Sequence, residues 1–166
     1  MSPIVATSTV TCTVDGVEAE LDGRPTDRLA HALRAAGHVA VKVSCEEGSC
    51  GACTVLLDDA AVAACLVPLA RAADRSVRTA AGADRAPVPA ALVDELACRG
   101  ALQCGMCTPG IVASATAFLE ALDHDGLAGV DEDGVRAALA GNLCRCTGYD
   151  GLVGAVVRAA HRVAGE

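Results

Sequence analysis

Ten cysteines are present in the 166-residue chain, and eight of them fall into two sets whose spacing could bind metal. The first set consists of Cys45, Cys50, Cys53 and Cys65. Its order, C-x4-C-x2-C followed by a more distant cysteine, is the spacing of plant-type [2Fe–2S] sites. Gly48 and Gly51 would allow a tight loop whose backbone N–H groups point at the negatively charged sulfurs. A structural zinc site is the alternative, but zinc favours two close cysteine pairs, so this set favours iron–sulfur.

The second set consists of Cys104, Cys107, Cys144 and Cys146. The first pair precedes a predicted helix and the second pair follows Gly141, so two helix–loop junctions could bring four thiolates together. Helix N-termini stabilise the charge of a thiolate. Two close cysteine pairs are also typical of zinc sites, so the spacing alone leaves iron–sulfur and zinc open.

The composition limits where such a chain would work. Met1–Thr13 lacks the basic start and apolar run of a secretory signal, and no segment approaches the roughly 20 apolar residues of a membrane span. We therefore expect a cytoplasmic protein, whose thiols stay reduced and bind metal rather than form disulfides. The net charge of −8 disfavours nucleic acid and anionic membranes as partners, because both need a basic face.

The first half combines short strands with one helix. We predict strands at Thr9–Val14, Val17–Leu21, Thr54–Leu57, Ala61–Ala64 and Ser76–Thr79. Asp15-Gly16 is a strong hairpin signal, and Asp58-Asp59 marks a second turn. A helix is predicted over Thr26–Ala36, with Thr26 as its N-cap and Gly37 at its end. Strands around one helix indicate a small β-grasp domain of the plant-type ferredoxin kind.

The second half is predicted to be all helix. We predict helices at Ala90–Arg99, Thr108–Leu122, Asp131–Ala140 and Tyr149–Val163, with Thr108 as an N-cap. Short connections between four helices indicate a small bundle. Ala80–Pro89 has neither helical nor strand periodicity and is interpreted as a surface linker. The expected α+β architecture is thus a β-grasp domain at 1–80, a linker at 81–89 and a four-helix domain at 90–166 that carries the second cysteine set.

Three segments give this chain a family resemblance: Val41–Val55, Ala101–Gly110 and Gly141–Tyr149. In their residues and order they resemble the motifs of the small iron–sulfur subunit of the xanthine oxidase family of molybdenum hydroxylases. The resemblance covers nearly the whole chain and favours a [2Fe–2S] cluster at the second set of cysteines. Ser44 and Met106 depart from it, because many relatives have glycine and phenylalanine there. Neither departure removes a ligand.

The resemblance implies an electron-transfer subunit of a molybdenum-dependent oxidoreductase, with no catalytic residue of its own. A large subunit would hold molybdopterin, often as the cytosine dinucleotide, and a medium subunit would hold FAD, in a heterotrimer or a dimer of heterotrimers. Electrons would pass from the pterin to the second cysteine set, then to the first set, then to FAD. Gln103 matches a glutamine whose amide hydrogen-bonds the pterin cofactor, and Cys146 matches the ligand closest to it. The substrate would be chosen by the large subunit.

Two other functions remain in view at this point: a free-standing two-cluster ferredoxin and a non-redox zinc protein. The two cysteines outside the sets, Cys12 and Cys98, are expected to be buried and to act as small hydrophobes. The four histidines have no spacing relation to the cysteines and are expected on the surface. They are His31, His38, His124 and His161.

Overall fold

A five-stranded sheet forms the first half of the molecule. The computed structural model describes residues 7–165. The first six residues of Met1–Thr13, the stretch in which no secretory signal is expected, lie outside the described residues. The strands are β1 (Ser8–Val14), β2 (Val17–Gly23), β3 (Thr54–Leu57), β4 (Ala60–Ala63) and β5 (Ser76–Arg78). Their order across the sheet is β2-β1-β5-β3-β4, with β1 and β5 parallel and the other pairs antiparallel. All five lie within two residues of the predicted bounds.

Both predicted hairpins are confirmed. Asp15 and Gly16 have φ values of 52° and 78°, and Asp58 and Asp59 have φ values of 47° and 67°. Two consecutive positive φ values are typical of the type I′ turn, whose twist matches that of paired antiparallel strands. Aspartate and glycine tolerate this left-handed region better than most residues, which explains why they occupy the turns.

Helix α1 (Leu29–Ala35) begins three residues later than predicted, and Thr26 is not its N-cap. The carboxylate of Asp27 instead accepts a hydrogen bond from the backbone N–H of Arg24, which holds this stretch in a turn. The N–H groups of Leu29 and Ala30 donate to the carbonyls of Val67 and Ala64. Tertiary hydrogen bonds thus replace the expected side-chain cap. The end of the helix is as predicted, with Gly37 at φ 95°.

The second half contains five helices within the described residues rather than the four predicted. They are α2 (Pro87–Cys98), α3 (Thr108–Glu120), α4 (His124–Ala128), α5 (Glu132–Ala138) and α6 (Asp150–Ala164). The additional helix, α4, is a single short turn whose N-cap Asp123 accepts a hydrogen bond from the N–H of Gly126. Thr108 is the first residue of α3 rather than its N-cap, which is Cys107.

The segment Ala80–Pro89, which lacks helical and strand periodicity in the sequence, contains helical structure. Ala80–Arg85 forms 3₁₀ turns, and α2 already begins at Pro87. The side chain of Thr79 caps the 3₁₀ segment by accepting a hydrogen bond from the N–H of Ala81. Proline suits the first turn of α2 because its missing N–H would have no helical partner there.

Two separate cores stabilise the two halves. The first combines the inner face of the sheet with α1, and the second is built almost wholly from leucine, valine and alanine of the helices. Strand β3 and helix α3 lie in contact, so the two halves pack directly against each other. Among residues 7–165, no helix is long and apolar enough to cross a membrane.

Candidate metal centres

The loop from Cys45 to Cys53 depends on left-handed backbone conformations. Gly48 and Gly51 have φ values of 81° and 68°, and Glu46 has a φ value of 60°. A Cβ atom on Gly48 would lie 2.3 Å from Cδ1 of Leu66, and one on Gly51 would lie 2.3 Å from the carbonyl oxygen of Gly141. Positive φ therefore favours glycine at both positions, as the sequence predicts, and at Gly51 the backbone of Gly141 also leaves no space for a side chain.

Hairpin β3–β4 brings the last two cysteines of the first set together. Cys53 directly precedes β3 and Cys65 follows β4, while Thr54 pairs with Ala63 between them. Both cysteines are buried, with 3% and 2% of their surface exposed. The hydrogen bonds from α1 to Ala64 and Val67 fix the backbone on either side of Cys65.

Glu46 is tied to the surface of α1 rather than freely solvated. Its carboxylate lies 2.6 Å from Nη1 of Arg28 and 3.2 Å from Nε2 of His31. Glu47 accepts a hydrogen bond from the hydroxyl of Ser49 at 2.9 Å. These contacts hold the exposed side of the cysteine loop.

The second set of cysteines meets where α3 begins and the segment before α6 passes. Sγ of Cys104 and Sγ of Cys146 lie 3.6 Å apart. Cys107 and Cys144 are in side-chain contact with each other. Cys104 and Cys146 are exposed, whereas Cys107 and Cys144 are half-buried, so this site opens at the surface.

Tyr149 braces the segment that carries Cys144. Its hydroxyl donates to the carbonyl of Asn142 at 2.8 Å and accepts from the N–H of Cys144 at 2.6 Å. The hydroxyl of Thr147 lies 3.1 Å from Sγ of Cys144. Tyr149 itself has a φ of 71°, a conformation that costs energy for a residue with a side chain and is held here by these hydrogen bonds.

The sulfurs lie in pairs. Cys104 and Cys146 lie 3.6 Å apart at the second site. The pKa of Cys45 is shifted in part by its neighbour Cys50, that of Cys53 in part by Cys65 and that of Cys107 in part by Cys144, which places these thiols near one another. Two thiolates on one tetrahedral metal lie about 3.8 Å apart for a bond of about 2.3 Å, and the 3.6 Å between Cys104 and Cys146 is close to that value.

This pairing fits a binuclear cluster. A [2Fe–2S] cluster takes four cysteines, two on each iron, so two sulfur pairs per site are what it requires. Within the described residues, no group of three or more histidine, cysteine, aspartate or glutamate side chains is arranged to hold a metal ion as a unit.

The metal-free thiols differ strongly in acidity. Hydrogen bonds from the backbone of Glu47 and from Ser49 lower the pKa of Cys45 to about 6, and burial raises the pKa of Cys53 to about 11. At the second site, burial raises the pKa of Cys107 to about 12. Burial also opposes ionisation of Cys144, but hydrogen bonds from Thr147 and from backbone N–H groups outweigh it and lower its pKa to about 7. Each site thus combines one readily ionised thiol with one that resists ionisation until metal binds.

The surface beside the second site carries Gln103 and apolar side chains. Gln103 is exposed, next to the exposed Cys104. Leu102, Met106 and Leu143 expose 38%, 41% and 57% of their surface. Met106 and Leu143 line the same small cavity as the four cysteines of the second site, so apolar side chains are exposed beside this site.

Of the remaining cysteines, Cys12 is buried in β1 as predicted, and burial raises its pKa. Cys98 is exposed, so its predicted burial is wrong. The buried side of α2 is taken by Leu92 and Leu96, and Cys98 falls on the last turn away from them. His31 and His124 are exposed as expected, while His38 and His161 are half-buried, and Nε2 of His161 lies 3.1 Å from the carbonyl of Val130.

Comparison with known protein families assigns a cluster-binding domain to each site. Residues 12–85 match the family described as 2Fe-2S iron-sulfur cluster binding domain. Residues 79–157 match the family described as [2Fe-2S] binding domain. The two matches contain the first and the second cysteine set, respectively.

Two curated relatives illustrate a match over nearly the full length of both chains. The xanthine dehydrogenase iron-sulfur-binding subunit of Escherichia coli is 39% identical, covering 91% of this chain and 93% of the relative. The nicotinate dehydrogenase small FeS subunit of Eubacterium barkeri is 35% identical, covering 94% of this chain and 97% of the relative.

Solved structures share the fold. A chain of quinoline 2-oxidoreductase from Pseudomonas putida 86 superposes with a TM-score of 0.84 and 34% identity, covering 96% of both chains. The aldehyde oxidoreductase of Desulfovibrio desulfuricans gives a TM-score of 0.81 and 39% identity over 96% of this chain, but over only 17% of its own longer chain. The same unit therefore occurs both as a separate chain and as part of a larger one. With both cysteine sites in place and relatives matched end to end, this chain belongs to the small [2Fe–2S] iron–sulfur subunits of the xanthine oxidase family of molybdenum hydroxylases.

Proposed function

We propose that this chain is the electron-transfer subunit of a molybdenum hydroxylase or dehydrogenase complex and holds two [2Fe–2S] clusters. The observation that carries the proposal is the presence of two four-cysteine sites, each with its sulfurs in two pairs, on halves that pack directly together. A bound [2Fe–2S] cluster accepts and releases single electrons. The chain supplies the ligands and fixes where the two sites lie.

The ligands follow from the pairing. Cys45, Cys50, Cys53 and Cys65 would hold the first cluster, and Cys104, Cys107, Cys144 and Cys146 the second. Finer features of the proposed architecture are a β-grasp ferredoxin domain at 1–80, a connection at 81–89 and a four-helix-type domain at 90–166. The sheet packed on α1 and the separate helical core support this division.

The exposed second site is the proposed entry point for electrons. Cys146 and Gln103 lie at the surface among exposed apolar side chains, which suits docking of a large subunit that carries molybdopterin. The carboxamide of Gln103 offers a donor and an acceptor to the edge of a pterin. Electrons would leave from the first site to FAD on a medium subunit, in a heterotrimer or a dimer of heterotrimers located in the cytoplasm.

In this proposal the chain makes and breaks no bond of the substrate. The substrate would bind the large subunit, as the diversity of the relatives supports: their names include xanthine, nicotinate and caffeine dehydrogenases.

Gel filtration of the native protein from its own host tests the proposal. We expect the chain to elute with two larger subunits, and the purified complex to contain iron, molybdenum and flavin. A chain that elutes alone, carries both clusters and exchanges electrons with soluble partners would instead be a free two-cluster ferredoxin.

A single substitution tests the proposed direction of electron flow. Cys146→Ser in the complex should stop reduction of flavin by substrate while the EPR signal of the first cluster remains obtainable with dithionite. Cys45→Ser is the matched variant, expected to remove the first signal and keep the second. Loss of both signals from either variant would contradict the assignment of the ligands to two separate sites.

A further inference from the structure

The two candidate sites meet at one tripeptide, Cys50-Gly51-Ala52, within the cysteine loop of the first site. The carbonyl of Cys50 accepts a hydrogen bond from the N–H of Leu143 at 2.9 Å. Leu143 directly precedes Cys144, a proposed ligand of the second site. A ligand of one site is therefore joined to the neighbour of a ligand of the other by one hydrogen bond.

Gly51 makes the next contact across the same junction. Its carbonyl accepts a hydrogen bond from Nδ2 of Asn142 at 3.1 Å, and Asn142 is buried, with 3% of its surface exposed. The same oxygen also accepts from the backbone N–H and the hydroxyl of Thr54, at 3.1 and 2.8 Å. The carbonyl is thus held from both halves of the molecule.

Helix α3 approaches this tripeptide as closely as the backbone allows. A Cβ atom on Gly110 would lie 2.0 Å from the carbonyl oxygen of Gly51 and 3.2 Å from the carbonyl carbon of Ala52. Gly110 has no positive φ, so its conformation does not require glycine. Glycine is needed at position 110 because the loop of the first site occupies the volume that a side chain would take.

A small cavity of about 140 Å³ lies beside the junction. Its wall includes Cys50 and Ala52 from the first loop together with all four cysteines of the second site. The two sites thus share a wall, and the distance between them depends on how closely the tripeptide sits on α3 and on Asn142.

We infer that Gly110 and Asn142 are positioning residues that set the electronic coupling between the two sites by seating Cys50-Gly51-Ala52 against the segment that carries Cys144. This inference rests on the proposed function and names what fixes the relation between its two centres. One electron would pass from a reduced cluster at the second site to an oxidised cluster at the first site. The second site is thereby oxidised and the first reduced, and no bond or proton changes. The source of the electron is the reduced molybdenum centre of the large subunit. The protein path from Cys50 to Cys144 is covalent except for the 2.9 Å hydrogen bond to Leu143.

The test uses Gly110→Ala in the intact, cluster-loaded complex. Alanine favours a helix over glycine, so the substitution is harmless to α3 itself and acts by wedging the helix from the loop. Gly151→Ala is the matched control, because Gly151 lies in the first turn of α6 as Gly110 lies in the first turn of α3. A Cβ atom on Gly151 would lie 3.5 Å from Cβ of Ala101, which is an ordinary contact. A second variant, Asn142→Asp, has the same size but places an oxygen against the carbonyl of Gly51 in place of the N–H donor.

Two readouts separate positioning from assembly: iron content per chain, and the magnetic interaction between the two clusters in the EPR spectrum of the fully dithionite-reduced complex. That interaction weakens with the cube of the separation. We expect Gly110→Ala and Asn142→Asp to keep full iron content and both individual signals, but to show a weaker interaction and several-fold slower electron exchange between the sites. Gly151→Ala should match the wild type.

An unchanged interaction in both loaded variants would overturn the inference. Loss of iron from both variants would also overturn it, because these residues would then build a site rather than position it. Neither result would contradict the proposed function. That function is contradicted only if the wild-type protein lacks two clusters or lacks partner subunits.

Discussion

The carboxylate of Asp15, at the tip of the β1–β2 hairpin, accepts hydrogen bonds from both the N–H and the hydroxyl of Thr79, at 2.6 and 2.8 Å. Thr79 stands where the sheet passes into the 3₁₀ segment that leads to the helical half. Arg85 also donates to the carbonyl of Asp15. A turn in the first half therefore clamps the connection to the second half.

Asp15→Ala should release this clamp. The substitution removes two hydrogen bonds to a charged group, and such bonds contribute a net value of about 1.5–3 kcal/mol each, so at this half-buried site we expect a loss at the lower end, about 3 kcal/mol for the pair. Thermal unfolding of the iron-loaded chain should show a midpoint several degrees lower. Asp15→Asn is the comparison variant, because asparagine tolerates the φ of 52° and keeps one of the two acceptor oxygens, so it should lose less stability than Asp15→Ala. An equal loss in both variants would point to charge rather than to the clamp.

Gly48→Ala should impair assembly of the first site. The new methyl group would clash with Leu66, and the φ of 81° disfavours alanine independently. We expect iron at the first site to fall while the second site stays loaded, measured by EPR and iron content. The double variant with Leu66→Ala removes the clash but not the backbone cost and should recover part of the iron. Full iron in the single variant would contradict the account of this loop.

Tyr149→Phe should weaken the second site only. It removes a hydroxyl that bridges the carbonyl of Asn142 and the N–H of Cys144, and the loss of this partner for both groups costs about 1–3 kcal/mol. A chelator should then remove iron from the second site of the variant faster than from the second site of the wild type, while the rate at the first site stays the same. A rate of iron loss from the second site that is the same in the variant and the wild type would show that the tyrosine does not brace this segment.

Alkylation of the folded, metal-free chain should follow the thiol pKa values. Only the thiolate reacts, so a lowered pKa means reaction at neutral pH and a raised pKa means protection there. Cys45, with a pKa of about 6, and Cys144, at about 7, should be modified first at pH near 7. Cys53 and Cys107, at about 11 and 12, should react only as the pH rises towards those values. Mass spectrometry of iodoacetamide-treated protein gives the order, and early modification of Cys53 or Cys107 would contradict it.

Local chemistry made much of the fold predictable. Asp15-Gly16 and Asp58-Asp59 predict the two turns, because few residue pairs accept two consecutive positive φ values. The cysteine spacing with Gly48 and Gly51 likewise declares the first site. The prediction of Thr26 as N-cap is wrong because the carbonyls of Val67 and Ala64 accept hydrogen bonds from the first N–H groups of α1.

Contacts between distant residues could not be predicted in this way. The hydrogen bond between Asn142 and Gly51 spans 91 positions, and no local pattern marks it. The cysteine spacing and the match of Gly141–Tyr149 to a family motif singled out that segment, but neither gave a role to Asn142. The alanine-rich stretch Ala80–Pro89 has too little periodicity to reveal its 3₁₀ turns, because small side chains pack on any face.

Chemical analysis of the purified chain tests the central claim most directly. Two [2Fe–2S] clusters require about four iron and about four acid-labile sulfide per chain, and reduction should give two distinct EPR signals. A brown protein with these contents is the predicted result. A colourless protein that contains zinc, or one with about two iron per chain and a single signal, would contradict the account.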